Sequence, residues 1–361
     1  MVLFPKCHGT TTVSIVSGLM NIKFDSPHSP KLWLSILVPV YKVQAYLSAC
    51  ASSILSQVDE GVEVVFVDDA SPDACPAILN HLLSTYPQNV RVIVHEHNLG
   101  ISAARNTLLQ AAQGEHVWFI DSDDVLAPGA LPELKHIIEE NDPDLVLCDF
   151  QRLREDGSPR TPTEHMRSYA GPSGRREHNV NELLQGLFQT GQWHPWSKIV
   201  RRSCWPETLR FPVGHVFEDL KVYPRLMLQI ESFYHAPRVW MGYRQRPGSA
   251  LSGLTPLQLQ QWMAALKGYA QTLQNVPGID ASTRYVVSFF CTRTFIRAAK
   301  KLAATPDTST SGIWYELIDQ WSSASPLSER DFLRQCWWRF HGLRALQFAL
   351  WMRYARARSK G

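Results

Sequence analysis

The sequence predicts an α/β fold with a mixed, mostly parallel sheet flanked by helices and followed by a helical C-terminal region. Two observations carry this. Short β-rich apolar runs alternate with helical patterns at close spacing over residues 33–150, as right-handed βαβ units require. The polar residues that fit neither pattern gather where the apolar runs end, and ligands of such sheets bind beyond the carboxyl ends of their strands.

The elements follow in order. Residues 34–41 form a β-rich run interrupted by Pro39, so the first strand should stop near Val38. Helical spacing covers 45–57 through Tyr46, Leu47, Cys50, Ile54 and Leu55. Residues 62–67 read as a buried strand ending in Asp68-Asp69-Ala70-Ser71-Pro72-Asp73. A helix at 76–86, a strand at 90–94 and a helix at 101–113 follow, with His95 to Gly100 before the last and Gly114 as its stop. The run 117–120 then ends abruptly in Asp121-Ser122-Asp123-Asp124. Beyond it come a helix at 132–140, a strand at 144–150 and a Gly/Pro-rich stretch at 152–177. That stretch suits a mobile loop or hairpin over the site. A helix at 180–189 leads to Trp193-His194-Pro195-Trp196-Ser197-Lys198, and an apolar helix follows Glu218-Asp219. From Thr255 onwards the pattern is helical.

Composition bounds the function. The chain has 361 residues, 45% hydrophobic and 19% charged, which is an ordinary globular balance. A net charge of +3 is too small to argue for nucleic acid. Seven cysteines without CxxC pairs favour reduced thiols in a cytoplasmic compartment. No stretch reaches the ~18–20 apolar residues that span a bilayer. Residues 1–31 are too polar for a secretory core and read as a poorly structured extension. Neither GxGxxG nor GxxxxGK[ST] follows the first strand, so a phosphate ligand would need a metal and basic side chains.

Three carboxylates at one strand end repel each other, and burial worsens the repulsion. A hard divalent cation resolves it, and can hold nucleotide phosphates in turn. The alternative is a solvated turn capping the next helix near Pro128-Gly129. Glu218 and Asp219 also have two readings: acid–base chemistry, or anions favoured by a helix N-terminus. Arg244 and Arg246 alternate, so they share one face of an extended strand, as phosphate contacts or as a solvated edge. Trp196 and Lys198 suit a sugar face and a phosphate, or a packed strand with a basic rim.

The runs ILVPVY, VEVVFVDDASPD, HNLGISAARN and GEHVWFIDSDD, in that order, resemble the N-terminal half of family 2 glycosyltransferases of the GT-A fold, over residues 33–150 and more loosely to 250. The resemblance implies a GT-A domain at 32–250, divided into a nucleotide-sugar half (32–150) and an acceptor half (151–250), before a helical region at 251–361. It implies that Pro39 and Tyr41 border the donor base, that Asp69 accepts from the base N3–H, and that Gly100, Arg105 and Asn106 lie near the diphosphate. Asp121 and Ser122 would contact ribose and diphosphate. Asp121 and Asp123 would hold Mg²⁺ or Mn²⁺, with Asp123 the direct ligand and Asp124 in support. His235 is the candidate for a further metal ligand. Asp219 matches the catalytic base and Glu218 its supporting acid. Residues 193–202 resemble the family's WxKLYRR segment, with Ser197 and Val200 departing from it, and 239–249 its YYRxRPGS segment.

The implied activity is inverting, metal-dependent transfer of a hexosyl or N-acetylhexosaminyl group. The donor would be a nucleotide-sugar, UDP-linked, and the acceptor a hydroxyl of a bacterial surface glycan or its lipid-linked precursor. The rivals are transfer to a polyprenyl phosphate and a catalytically silent sugar-nucleotide binder. A phospho-receiver would share Asp68 and Asp69 but has no use for the second acidic cluster. The C-terminal segment is aromatic and basic: from 331 to 361, Asp331 stands against seven Lys and Arg. Such a segment suits peripheral contact with the inner membrane face, although Arg339 and Arg344 interrupt its apolar side. The alternative is a helix packed on the catalytic domain.

Overall fold

The computed structural model describes residues 12–16, 19–23, 32–246, 254–305 and 311–359. Within 1–31, β1 (Thr12–Val16) and β2 (Leu19–Lys23) pair as an antiparallel hairpin; the rest of that extension lies outside the described residues. The α/β unit then runs β3 (Leu34–Val40), α1 (Gln44–Leu55), β4 (Val62–Asp68), α2 (Cys75–Thr85), β5 (Val90–Val94), α3 (Ile101–Ala111) and β6 (His116–Phe119). It continues through β7 (Val125–Leu126), α4 (Ala130–Asn141), β8 (Leu145–Leu153), β9 (Arg176–Glu177), α5 (Val180–Thr190), β10 (Lys198–Arg201), α6 (Glu218–Leu226) and β11 (Phe233–Arg244). Six helices follow: α7 (Pro256–Ala264), α8 (Tyr269–Gln274), α9 (Ala281–Ala303), α10 (Ser311–Ala324), α11 (Glu329–Trp338) and α12 (Gly342–Arg358).

The sheet order is β5-β4-β3-β6-β10-β8-β11-β7, with β9 on β11. Strands β5, β4, β3 and β6 are mutually parallel, as are β8 and β11; β10 runs antiparallel between β6 and β8. Every residue of β3, β4 and β6 is buried, which explains why they read as continuous rather than alternating runs. Helices α1, α2 and α4 cover one face, and α3, α5, α6 and the C-terminal helices cover the other. The six cysteines among the described residues are free.

Strand β3 runs to Val40, two residues past the expected stop. Leu37 O accepts from Ile120 N on the β6 side, and Val40 O accepts from Asp69 N on the β4 side. By that alternation Pro39 faces the β6 side just beyond the end of β6, where no ladder bond requires the N–H it lacks. The stretch 152–177 is tied to its neighbours by the bridges Phe150–Met166 and Leu153–Pro159. Asp149 anchors it further, accepting from Ser168 N at 2.8 Å and lying 2.7 Å from His165 Nε2.

Candidate active site at the sheet switch point

Strand order reverses at β3, with β4 on one side and β6 on the other, so a crevice opens beyond their carboxyl ends. Tyr41 lies there at the end of β3, half exposed, with the Lys42 ammonium 5.1 Å above its ring. Asp69, just past β4, is 2% exposed, and both its oxygens are engaged. Oδ1 accepts from Leu99 N (2.9 Å) and meets His95 Nδ1 (2.7 Å); Oδ2 accepts from Gly100 N (2.7 Å) and Asn98 Nδ2 (3.0 Å). Asp69 therefore holds the 95–100 loop in place, and reading a base N3–H would be an added contact. Asp68 is the turn partner its sequence context suggests, accepting from Ser71 N at 3.0 Å.

The acidic cluster follows β6. Asp121 Oδ1 accepts from Arg105 Nη2 at 2.9 Å, and Asp123 Oδ2 accepts from Arg246 Nε at 2.7 Å. Asp124 is buried; its Oδ1 accepts from Arg244 N at 2.8 Å and its Oδ2 has no partner. Burial, then the charges of Asp123 and Asp121, push the Asp124 carboxyl well above the usual carboxylate range. Burial and Asp121 raise Asp123 as well, against the opposing pull of Arg246. Ser122 is buried between these acids.

Arg244 and Arg246 share one face, as their alternation requires: their guanidinium groups lie 5.3 and 5.7 Å from the Tyr46 ring centre. Their roles differ. Arg244 is buried, donating to Asp123 O (2.8 Å) and Glu155 O (2.7 Å), so it braces the acidic turn and has little left for a phosphate. Arg246 is more open and neutralises Asp123.

Arg105 joins this cluster to the second one. It is buried, with Nη1 2.6 Å from Glu218 Oε1 and Nη2 on Asp121, and its guanidinium packs 5.6 Å from the Phe211 ring. Burial disfavours its charge, but Asp121 and Glu218 outweigh that and hold it firmly protonated. Asn106, expected near a diphosphate, instead clasps the Phe211 backbone, donating to its O (2.8 Å) and accepting from its N (2.9 Å). That clasp ties α3 to the segment leading into Glu218 and Asp219. Phe217, at φ +62°, stacks on Trp262 at 5.3 Å and turns the chain into α6. Asp219 Oδ1 accepts from Leu220 N at 2.7 Å. Burial and the neighbouring Glu218 push its carboxyl up to about 7, while Arg105 pulls the other way.

Two expected acceptor contacts are corrected. Trp196 is 0% exposed, edge-on to Phe150 (4.7 Å) and stacked on His194 (4.6 Å), so it is packing area rather than an open sugar platform. Lys198 is also buried and donates to Gln192 O (2.9 Å), His194 O (3.0 Å) and Ser197 Oγ (3.0 Å), which uses all three ammonium hydrogens. Burial pushes it down to about 7, with Asp219 opposing. His235 is fully buried between Asp149 (2.9 Å) and Ser173 (2.8 Å), which commits both ring nitrogens and removes it as a metal ligand.

No group of three or more His, Cys, Asp or Glu able to hold a metal occurs among the described residues. A cage made of protein alone is thereby absent from them. The unpartnered Asp124 oxygen and the raised carboxyls around Asp123 instead fit a cation held by one or two carboxylates and completed by a ligand's phosphates.

Sequence reasoning missed Tyr46, His95 and Glu155. Tyr46 Oη lies 3.1 Å from Glu155 Oε1 across 109 residues, and no local pattern signals such a pairing.

Residues 35–197 match the Glycosyl transferase family 2 model. EpsH of Bacillus subtilis (strain 168), named as a glycosyltransferase, is 30% identical over 189 residues, which are 52% of this chain and 53% of EpsH. Glycosyltransferase GlyG of Streptococcus pneumoniae serotype 4 is 27% identical over 230 residues, 60% of this chain and 72% of GlyG. The chain spans 53%, 62% and 33% of the length of EpsH, EpsJ and GlyA, curated relatives it matches. The crystal structure of S. aureus TarS 1–349 in complex with UDP-GlcNAc superposes with a TM-score of 0.69 at 20% identity, covering 91% of this chain and 88% of that one. The fold is therefore GT-A, and residues 35–197 are similar to glycosyl transferase family 2.

Proposed function

We propose that this protein transfers a sugar from a UDP-sugar to a hydroxyl of a bacterial surface glycan, with inversion. The observation that carries the reading is the arrangement at the switch point. One buried arginine, Arg105, links the carboxylates after β6 to Glu218 beside Asp219. A donor laid across the strand ends would thus place its diphosphate by Asp121 and Asp123 and its anomeric carbon towards Asp219. Relatives named for teichoic acid chemistry and the UDP-GlcNAc complex of TarS support a UDP-sugar and a cell-wall acceptor.

Asp219 accepts the proton of the acceptor hydroxyl, whose oxygen forms the new bond to the anomeric carbon as the bond to the diphosphate breaks. Its raised proton affinity suits that task, since a base poised near neutrality drives proton transfer better than an ordinary carboxylate. Glu218 pairs with Arg105 at the start of α6. Tyr41, half exposed at the end of β3, offers its ring to the base, and Arg246 can pass from Asp123 to a bound diphosphate. Asp121 and Asp123 would hold a Mg²⁺ or Mn²⁺ ion, which when bound stabilises charge on the leaving diphosphate.

The test is direct. UDP and Mn²⁺ together should raise the melting temperature more than either alone. Asp219→Asn should keep that shift and lose transfer to a glycan acceptor by about 10²–10⁴-fold. Absence of the joint shift overturns the donor site, and undiminished transfer by the variant overturns the base.

A further inference from the structure

The corner between α11 and α12 carries an aromatic residue where helix ends favour glycine. His341 N donates to Cys336 O (2.8 Å) and Phe340 N to Trp337 O (3.3 Å), the paired bonds of a Schellman motif. The left-handed position of that motif belongs to Phe340, at φ +58°. A phenylalanine is strained there, and burial returns nothing, because Phe340 is 96% exposed. Trp338 (81%) and Leu343 (81%) flank it, and Leu346 and Leu350 (66%) continue the line along α12. Positions 343, 346 and 350 share one helix face. The opposite face, Ala345, Phe348, Met352 and Ala355, is buried in the core.

The corner is also rigid. Tyr285 Oη lies 2.6 Å from His341 Nδ1, and the Arg339 guanidinium packs 4.5 Å from the Tyr285 ring. Arg344, which interrupts the apolar side on a helical wheel, turns inward over Phe289 at 5.7 Å. The exposed apolar line is thus unbroken, and α12 adds Arg353 and Arg358 and no acidic residue, while Arg356 pairs with Glu329 of α11. A second copy docking on this patch would bring like charges together. A bilayer with anionic headgroups accepts both parts, apolar side chains at the acyl boundary and arginines at the phosphates.

We propose that the α11–α12 corner is a docking surface for an anionic lipid bilayer, entered by Trp338, Phe340, Leu343 and Leu350. The proposal is independent of the transferase reading, though it would bring the site towards a lipid-linked acceptor. The full chain should sediment with vesicles of phosphatidylglycerol and phosphatidylcholine, weakly with phosphatidylcholine alone, and less as salt rises. Phe340→Gly with Leu343→Ser should bind about ten-fold more weakly. Phe340→Gly alone should hold or raise the melting temperature, which separates lost docking from lost folding. Donor hydrolysis by these variants should match that of the unaltered chain, so a failed transferase reading would not be mistaken for a failed docking surface. The proposal is overturned if the unaltered chain stays in the supernatant, if the double variant sediments equally well, or if sedimentation velocity shows a dimer that Phe340→Gly dissociates.

Discussion

Arg105 stands 2.9 Å from Asp121 and 2.6 Å from Glu218, almost without solvent, and its Nε has no partner. It is the cation that lets carboxylates from two distant segments approach one another. Asp219 beside it is not directly paired, and burial with the nearby Glu218 pushes it up to about 7. The consequence for rate is a single acidic limb: kcat/KM should fall about ten-fold per pH unit below that value, as the base becomes protonated. A pH profile of glycan transfer checks this, and a profile flat through neutrality would remove Asp219 as the base. The stability effect has a defined sign. A carboxyl with a raised folded-state pKa costs stability as pH rises from the usual range, about 3.9, towards 7, because the unfolded chain ionises first.

Among the elements, the 95–100 loop shows how a short segment is made into a wall of the crevice. Asp69 gathers the amides of Leu99 and Gly100, and Gly100 leads into α3 at φ +88°, ψ 164°. A Cβ at Gly100 would meet nothing within 4 Å, so the cost of a substitution lies wholly in the backbone. Gly100→Ala should destabilise the fold by about 1–2 kcal/mol. Urea denaturation reads the loss, and an unchanged midpoint would show that the loop relaxes into another conformation. The glycine, the Asp68-Asp69 pair and the strand preceding them were all legible in the sequence. The mutual grip of Asp69 and the loop was not, because it joins residues about thirty positions apart through backbone amides that carry no sequence signal.

Across the whole molecule, the C-terminal helices are not an appendage. One continuous core joins Leu37 and Phe119 of the sheet to Leu187 and Tyr223, and on to Phe295, Trp321 and Phe348. Tyr269 Oη donates to Pro224 O at 3.0 Å, and Trp262 stacks on Phe217 next to the proposed catalytic acids. Residues 32–246 and 254–359 should therefore unfold in one calorimetric transition. Two separated transitions would show that the division at residue 250 marks independently stable domains. No helix among the described residues is long and apolar enough to cross a membrane.

The sequence by itself determined the α/β class, the succession of its first strands and helices along the chain, and the acidic cluster at the strand ends. Buried parallel strands leave continuous apolar runs, and charge at a strand end interrupts those runs visibly. Only the tertiary structure decided which charged residues are free to act. Lys198, Arg244 and Trp196 look like ligand contacts in one dimension, yet two carbonyls and the Ser197 hydroxyl take up the Lys198 ammonium, two carbonyls from other segments hold Arg244, and aromatic rings cover Trp196. Spare hydrogen-bonding capacity is set by neighbours brought together in folding, and that is why Asp219, Asp121 and Arg246 keep their places in the proposed site while the other three become scaffold.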